Sequence, residues 1–278
     1  MTASSGTPVA DYSLERTPRE YERLRAQARM WEPATARLLD RIPLGAGAAC
    51  LDAGCGPGET MRLLARRVGI DGMVTGIDVD PSLGALVEER LHAAGYRQCR
   101  FQLADLTADE PIPGGPYDLV YARLLLFHLP QRAEVLARLW DAVRPDGHLV
   151  VQDYDLSGVD VVPHLASADE AVRILIATFE ARGCDVRAGL RLRQYFADAG
   201  FGYPDGTDVA GRLESLGSGY TLLYETLRSV LPAALAHGVT DELHAHQTLT
   251  TLRADAARFP NRTMSWPLLL GAWKRKRQ

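Results

Sequence analysis

The chain has 278 residues, a formal net charge of −4, and 46% hydrophobic and 24% charged residues. That balance belongs to a folded globular protein, which excludes a disordered or fibrous chain and a broad basic surface built to neutralise a phosphate backbone. Cys50, Cys55, Cys99 and Cys184 include no pair at CxxC spacing, so a zinc site or redox pair is not expected and free thiols in a reducing compartment are.

No stretch approaches the ~18 apolar residues of a membrane span, and residues 1–10 are small and polar with no apolar targeting core. The expected location is therefore cytoplasmic. The basic run Lys274, Arg275, Lys276 and Arg277 reads as a solvated tail.

Taken in chain order, Thr17 followed by Pro18 and Glu20 is the chemistry of a helix start, and Tyr21, Leu24, Ala28 and Trp31 recur at helical spacing. Pro33 should divide the stretch to residue 41 into two helices. From residue 48 short apolar runs alternate with helical stretches, the mark of βαβ units and a parallel sheet. Strands are expected at 48–52, 73–78, 100–103, 117–122 and 147–153, with helices near 59–68, 81–94 and 132–143 and a turn at 144–147. Farther on, helices are expected near 167–182 and 190–199, a sixth strand within 202–216, helical pieces over 218–258 and a final strand at 266–273. No internal repeat or low-complexity linker interrupts the chain, which reads as one domain with additions.

The most informative stretch is Asp52-Ala53-Gly54-Cys55-Gly56-Pro57-Gly58-Glu59, between the first strand and its helix. Glycines there permit a tight turn and close approach of a ligand to the backbone. The dinucleotide fingerprint needs glycine where Glu59 stands, and a carboxylate in the first helical turn opposes a pyrophosphate. No Gly-Lys-Ser/Thr ending makes a phosphate loop either. The loop suits a ligand without phosphates, and Asp52 suits one bearing a cation. Asp78 ends the second strand, where an acidic side chain meets ribose hydroxyls. Its competing role, helix capping before Pro81, is better filled by Asp80. Asp105 follows the third strand and otherwise reads as a turn residue.

With these residues in order, 48–155 resembles the class I S-adenosylmethionine-dependent methyltransferases of the small-molecule, bacterial natural-product type. The resemblance implies an α/β fold: a doubly wound, mostly parallel, seven-stranded Rossmann-like sheet with N-terminal lid helices and a helical insert near the C-terminus. It implies a lid over 1–45, a cofactor-binding core over 46–155, and a remainder over 156–278 whose insert at about 218–258 covers the acceptor.

The cofactor implied is S-adenosylmethionine, with S-adenosylhomocysteine as product. Gly54, Gly56 and Gly58 would pack under its methionine portion with Cys55 in the same loop, and Asp52 would fix the loop and the ammonium side. Asp78, followed by Val79, would hold the ribose hydroxyls, Asp105 the adenine amino group, and the Leu106 amide a ring nitrogen. The backbone of Ala122 and Arg123 would meet the methionine end. Residues 21–31 also resemble lid helices of natural-product methyltransferases. Gln27 and Trp31, four apart on one face, turn either toward the cofactor or into the packing of a surface helix.

Methyl transfer asks mainly for alignment and exclusion of water, and a base near neutral pKa assists when the acceptor is a hydroxyl or amine. His128 is the candidate base, or else a structural residue of the pocket floor. Arg123 reads as a holder of an acceptor carboxylate or as a surface charge, and Tyr154 and Asp155 as acceptor contacts. Tyr220, Tyr224, His237, His244 and His246 fall in the insert. His244 and His246 are two apart and face different sides of a helix, so no metal is expected.

The expected partner is a small-molecule acceptor methylated at O, N or C, plausibly in bacterial secondary metabolism, with no nucleic acid, no membrane, and a homodimer left open. The alternatives are an RNA or protein methyltransferase on the same fold, or a non-catalytic cofactor-binding module. Ala122-Arg123-Leu124-Leu125 stands where base-amine methyltransferases carry an Asn-Pro-Pro-aromatic turn.

Overall fold

The computed structural model describes residues 17–278, so residues 1–16 of the expected lid lie outside the described residues. Helix α1 (Pro18–Met30) begins where expected: Thr17 Oγ1 accepts the Glu20 N–H at 3.2 Å, and Pro18 occupies the first turn, where its missing donor costs nothing. Trp31 ends α1 and opens α2 (Glu32–Leu39), with Pro33 in the first turn of the second helix.

The alternating core follows as β1 (Ala49–Ala53), α3 (Glu59–Val68), β2 (Met73–Asp78), α4 (Leu83–Ala93), β3 (Cys99–Leu103), β4 (Tyr117–Arg123), α5 (Arg132–Asp141) and β5 (Val143–Asp155). Next come β6 (Asp160–Val162), α6 (Ala166–Ala181), α7 (Ala188–Asp198), β7 (Gly206–Ala210), β8 (Leu213–Ser215), α8 (Leu216–Ala236), α9 (Glu242–Arg258), β9 (Thr263–Ser265) and β10 (Leu268–Arg275).

Seven strands form one sheet in the order β3-β2-β1-β4-β5-β10-β7, parallel from β3 to β5, with β10 antiparallel to both β5 and β7. The chain steps outward from β1 to β3 and then returns to lay β4 on the other side of β1. Strand order reverses there, and a crevice opens at the carboxyl ends of β1 and β4.

Alternation along the strands builds two cores. Cys50, Val74, Tyr121 and Val150 pack on one face with Met61 and Leu64 of α3 and Val87 of α4. Leu51, Val120, Leu149 and Val151 pack on the other with Leu136 of α5 and Phe196 of α7. A third apolar cluster joins α6, α8 and α9 to Trp31, Phe127 and Tyr154.

Three expectations are corrected. The turn at 144–147 is absorbed into β5, which begins at Val143 through an irregular register beside Tyr117, with Asp146 at φ 64°. The sixth-strand region yields two strands, and β8 leaves the main sheet to join β6 and β9 in a small three-stranded one. The basic run is no loose tail: Lys274 and Arg275 finish β10, Arg275 pairs with Asp146 at 2.9 Å, and Lys276 Nζ donates to Trp140 O at 2.9 Å.

Candidate active site

The glycine loop leaves β1 with Gly54, Gly56 and Gly58 at φ 69°, 48° and 78°. These are left-handed conformations that side-chain-bearing residues avoid. The Gly54 and Cys55 N–H groups both donate to Ile77 O at 2.9 Å, and the Gly56 N–H donates to Asp78 Oδ2 at 2.9 Å. Below the loop, Glu59 accepts from Arg90 Nη1 at 2.6 Å and Arg25 Nε at 3.0 Å. Burial opposes ionisation of Glu59, but Arg90 and Arg25 outweigh it and hold its carboxyl below the ordinary range. The carboxylate that argued against a pyrophosphate is thus an internal ion-pair hub.

One cavity of about 620 Å³ lies over the loop. Gln27, Trp31, Asp52, Gly54, Cys55, Gly56, Asp78, Val79, Asp105, Leu106, Arg123 and His128 all line it. Gly58 and Ala122 do not. A Cβ on Gly58 would stand 2.8 Å from Val87 Cγ1, so this glycine serves the packing of α3 on α4, and the Ala122 side chain is fully buried in the sheet. A Cβ on Gly56, by contrast, would meet nothing within 4 Å.

Asp52 is 2% exposed, and burial pushes its pKa up to about 7, against the pull of Arg123 and with the help of Asp78. Burial raises Asp78 as well, opposed by the N–H groups of Gly56 and Asp80 that it accepts. Asp105 Oδ1 takes the Thr107 N–H at 2.8 Å, so its turn role is real and coexists with its place on the cavity wall. Asp80 does not cap α4, whose N-cap is Ser82 without a side-chain bond; its carboxylate closes the preceding turn, accepting from Ser82 N at 3.0 Å and from the Tyr21 hydroxyl at 2.6 Å.

Across the cavity, Arg123 donates to Thr35 Oγ1 at 3.2 Å. Gln27 Nε2 donates to the Tyr154 hydroxyl at 3.0 Å, joining the lid helix to β5, and the Trp31 ring lies 6.0 Å from that of Tyr154. His128 closes a 3-10 turn, Leu126–His128, its ring 4.8 Å from that of Phe127. Burial depresses its pKa to about 4, with Arg23, Arg182 and Arg132 pushing the same way. A base near neutrality was expected, and desolvation removes that property.

Asp155 accepts from Ser157 N at 3.2 Å, capping a turn outside the cavity lining. His244 pairs with Glu170 at 2.6 Å, and the Tyr220 ring packs tilted against that of Tyr224, all outside the cavity lining, while His237 lines it. Sequence reasoning passed over Asp153, which is fully buried and accepts the N–H groups of Phe127 and Tyr154, each at 2.9 Å. Its one signal was a carboxylate just after the apolar run Leu149-Val150-Val151 of β5.

The residues present fit a cationic nucleoside. Among the described residues, two buried side-chain polar atoms meet no partner within strict hydrogen-bond geometry, the acceptor Asp52 Oδ2 and the donor Trp31 Nε1, although the Trp31 indole acts on the Tyr154 hydroxyl. Both belong to walls of this cavity. Buried polar atoms are normally satisfied, so an acceptor left open on the wall of this cavity fits a ligand that donates a hydrogen bond or carries a positive charge.

A glycine loop at the reversal of a parallel sheet, with carboxylates at or just past the ends of successive strands, defines a Rossmann-like α/β fold with a ligand crevice at the carboxyl ends of its strands. The methyltransferase domain family matches residues 50–147. The trans-aconitate 2-methyltransferase of Methylobacterium nodulans is 38% identical over 117 residues, 42% of either chain. The 27-O-demethylrifamycin SV methyltransferase of Amycolatopsis mediterranei is 35% identical over 128 residues, 44% of this chain and 46% of that one. The chain thus spans about half the length of the curated relatives it matches or less. A crystal structure of an S-adenosylmethionine-dependent methyltransferase from Aquifex aeolicus superposes with a TM-score of 0.51 at 15% identity, covering 94% of this chain and 100% of that one. Over residues 50–147 the chain is thus similar to the methyltransferase domain family, and the solved structure shares its Rossmann-like fold.

Proposed function

We propose that this protein transfers the methyl group of S-adenosylmethionine to an oxygen, nitrogen or carbon of a small molecule in the cytoplasm, as a step of bacterial secondary metabolism. The observation that carries the proposal is the convergence of Asp52, Asp78 and Asp105, from the ends of β1, β2 and β3, on one cavity floored by the glycine loop. The match to a rifamycin-modifying enzyme supports the metabolic setting.

When bound, the cofactor supplies an electrophilic methyl group on a sulfonium. In this reading Gly54 and Gly56 leave room for its methionine portion, Asp52 faces its positive charge, Asp78 takes the ribose hydroxyls, and Asp105 with the Leu106 amide takes the adenine edge. No α/β arrangement of this kind needs a strong base if it aligns the reactants, a contribution that reaches roughly 7–11 kcal/mol.

Alignment and exclusion of water are tasks for the lid. Arg19 on α1 pairs with Glu225 on α8 at 2.6 Å, Arg23 Nη1 donates to Thr226 Oγ1 at 3.1 Å, and the Gln27–Tyr154 bond ties the same helix to β5. His128, neutral at physiological pH, serves as a polar wall of the cavity rather than as a strong base. Calorimetric titration tests the proposal: S-adenosylmethionine should bind one-to-one and release S-adenosylhomocysteine when an acceptor is added. Absence of binding heat at saturating cofactor would overturn it.

A further inference from the structure

We infer that the acceptor is a compound whose buried part is an uncharged, apolar ring or chain, and that the cavity rejects polycarboxylates and ammonium compounds. The inference rests on the methyltransferase reading and adds the substrate class to it.

The carboxylates on the cavity wall are all at its loop end: Asp52, Glu59, Asp78, Asp80 and Asp105. Past Arg123, among the described residues, no Asp or Glu lines it. What lines it instead is the inner side of α6, with Val172, Leu175, Ile176 and Phe179, faced by Leu222 and Leu223 of α8 and by Trp266. Phe127 and Phe179 meet edge to face, their centroids 5.0 Å apart, and extend the wall to the turn that carries His128. This chamber is continuous with the space over the glycine loop, so an acceptor held there lies next to the cofactor.

Charges bordering the chamber are already engaged. Arg23 is buried against Glu20 at 2.7 Å and gives its remaining donors to Gln27 and Thr226. Arg123 is held by Thr35 and acts on Asp52. Arg182 has an interaction of its own. An incoming polycarboxylate would therefore desolvate several charges against apolar walls with no uncommitted cation to meet them, which is strongly unfavourable. A buried ammonium fares no better, since no carboxylate lines the chamber past Arg123 to pair with it. An uncharged apolar body loses nothing on transfer and gains from every contact.

The test compares one ring system with and without a charged group and adds a ring-free polycarboxylate. With S-adenosylhomocysteine bound, 2-naphthol, 2-naphthylmethylamine and trans-aconitate are titrated into the full chain by calorimetry. 2-Naphthol should bind, and each charged probe should bind at least about tenfold more weakly. Trans-aconitate or the amine binding as tightly as 2-naphthol, or 2-naphthol failing to bind, overturns the inference. Ile176→Asp, at a half-buried wall position, should weaken 2-naphthol about tenfold or more while S-adenosylhomocysteine affinity holds. If that variant does not fold, Leu222→Gln takes its place with the same expectation. Unchanged 2-naphthol affinity in a folded wall variant also overturns it. Loss of S-adenosylhomocysteine binding with 2-naphthol binding intact would strike the cofactor reading and leave the chamber standing.

Discussion

Asp78 Oδ2 accepts the Gly56 N–H at 2.9 Å, so the carboxylate at the end of β2 also fixes the apex of the glycine loop. Replacing it loosens the loop and, in the function proposed above, removes a ligand contact at the same time. Asp78→Ala should weaken S-adenosylmethionine binding roughly ten- to hundredfold, from the ~1.5–3 kcal/mol of a charged hydrogen-bonding group. Calorimetry reads this directly, and an unaltered affinity would remove the ribose assignment.

Two glycines two positions apart in the loop but different in surroundings should fail differently. Gly58→Ala forces a Cβ against Val87 at a positive φ and should destabilise the fold by about 2–4 kcal/mol, measured by urea unfolding. Gly56→Ala meets no neighbour, so its cost to stability should be nearer ~1–2 kcal/mol, the price of a left-handed alanine. Its larger effect should be on cofactor affinity, because the methyl group occupies the ligand's space.

The pH dependence of stability should expose Asp52. Its folded pKa is raised to about 7 from an ordinary 3.8, so between those values the native state holds a proton that the unfolded chain has released. Stability from this group is complete below the lower value and declines as pH rises through the window. Asp153, also raised to about 7, acts in the same direction, and His128, depressed to about 4, acts oppositely between 4 and 6.5. Asp52→Asn should therefore match the parent near pH 4 and exceed it at pH 8 by more than about 1 kcal/mol, while binding S-adenosylmethionine less well. Equal melting temperatures at both pH values would contradict the buried, ionised carboxylate.

A histidine with a pKa near 4 should leave no inflection between pH 6 and 7 in the rate profile. His128→Ala should lower turnover through the shape of the cavity and preserve the profile's form. An inflection near neutrality in the parent that vanishes in the variant would restore this side chain as the proton acceptor.

Much of the core was legible because local signals agreed. Helix α3 runs from Glu59 to Val68 as read, bracketed by Gly58 and Gly69, and β2 ends on Asp78 as read. That Asp52, Asp78 and Asp105 share one cavity was legible because each sits at or just past the end of a strand. The acceptor side was not, since its chemistry depends on burial: nothing in Leu126-Phe127-His128 announces that desolvation will disarm the imidazole. Strands β6 and β9 have three residues each, too few for periodicity, and they pair with each other across about a hundred residues of chain. Asp155 and Asp153 are two apart in sequence, yet one caps a turn and the other is sealed inside, a distinction only packing creates.

The placement of β10 bears on how the protein is made. Until residues 268–275 have left the ribosome, β5 has an open edge of backbone donors and acceptors, and β7 has no sheet to join. Pairings such as Leu268 with Asp155 close a loop of more than a hundred residues, which slows assembly and prolongs exposure of that edge. A nascent chain stalled short of residue 268 is thus a sticky intermediate, and the last strand acts as the latch that ends its vulnerability.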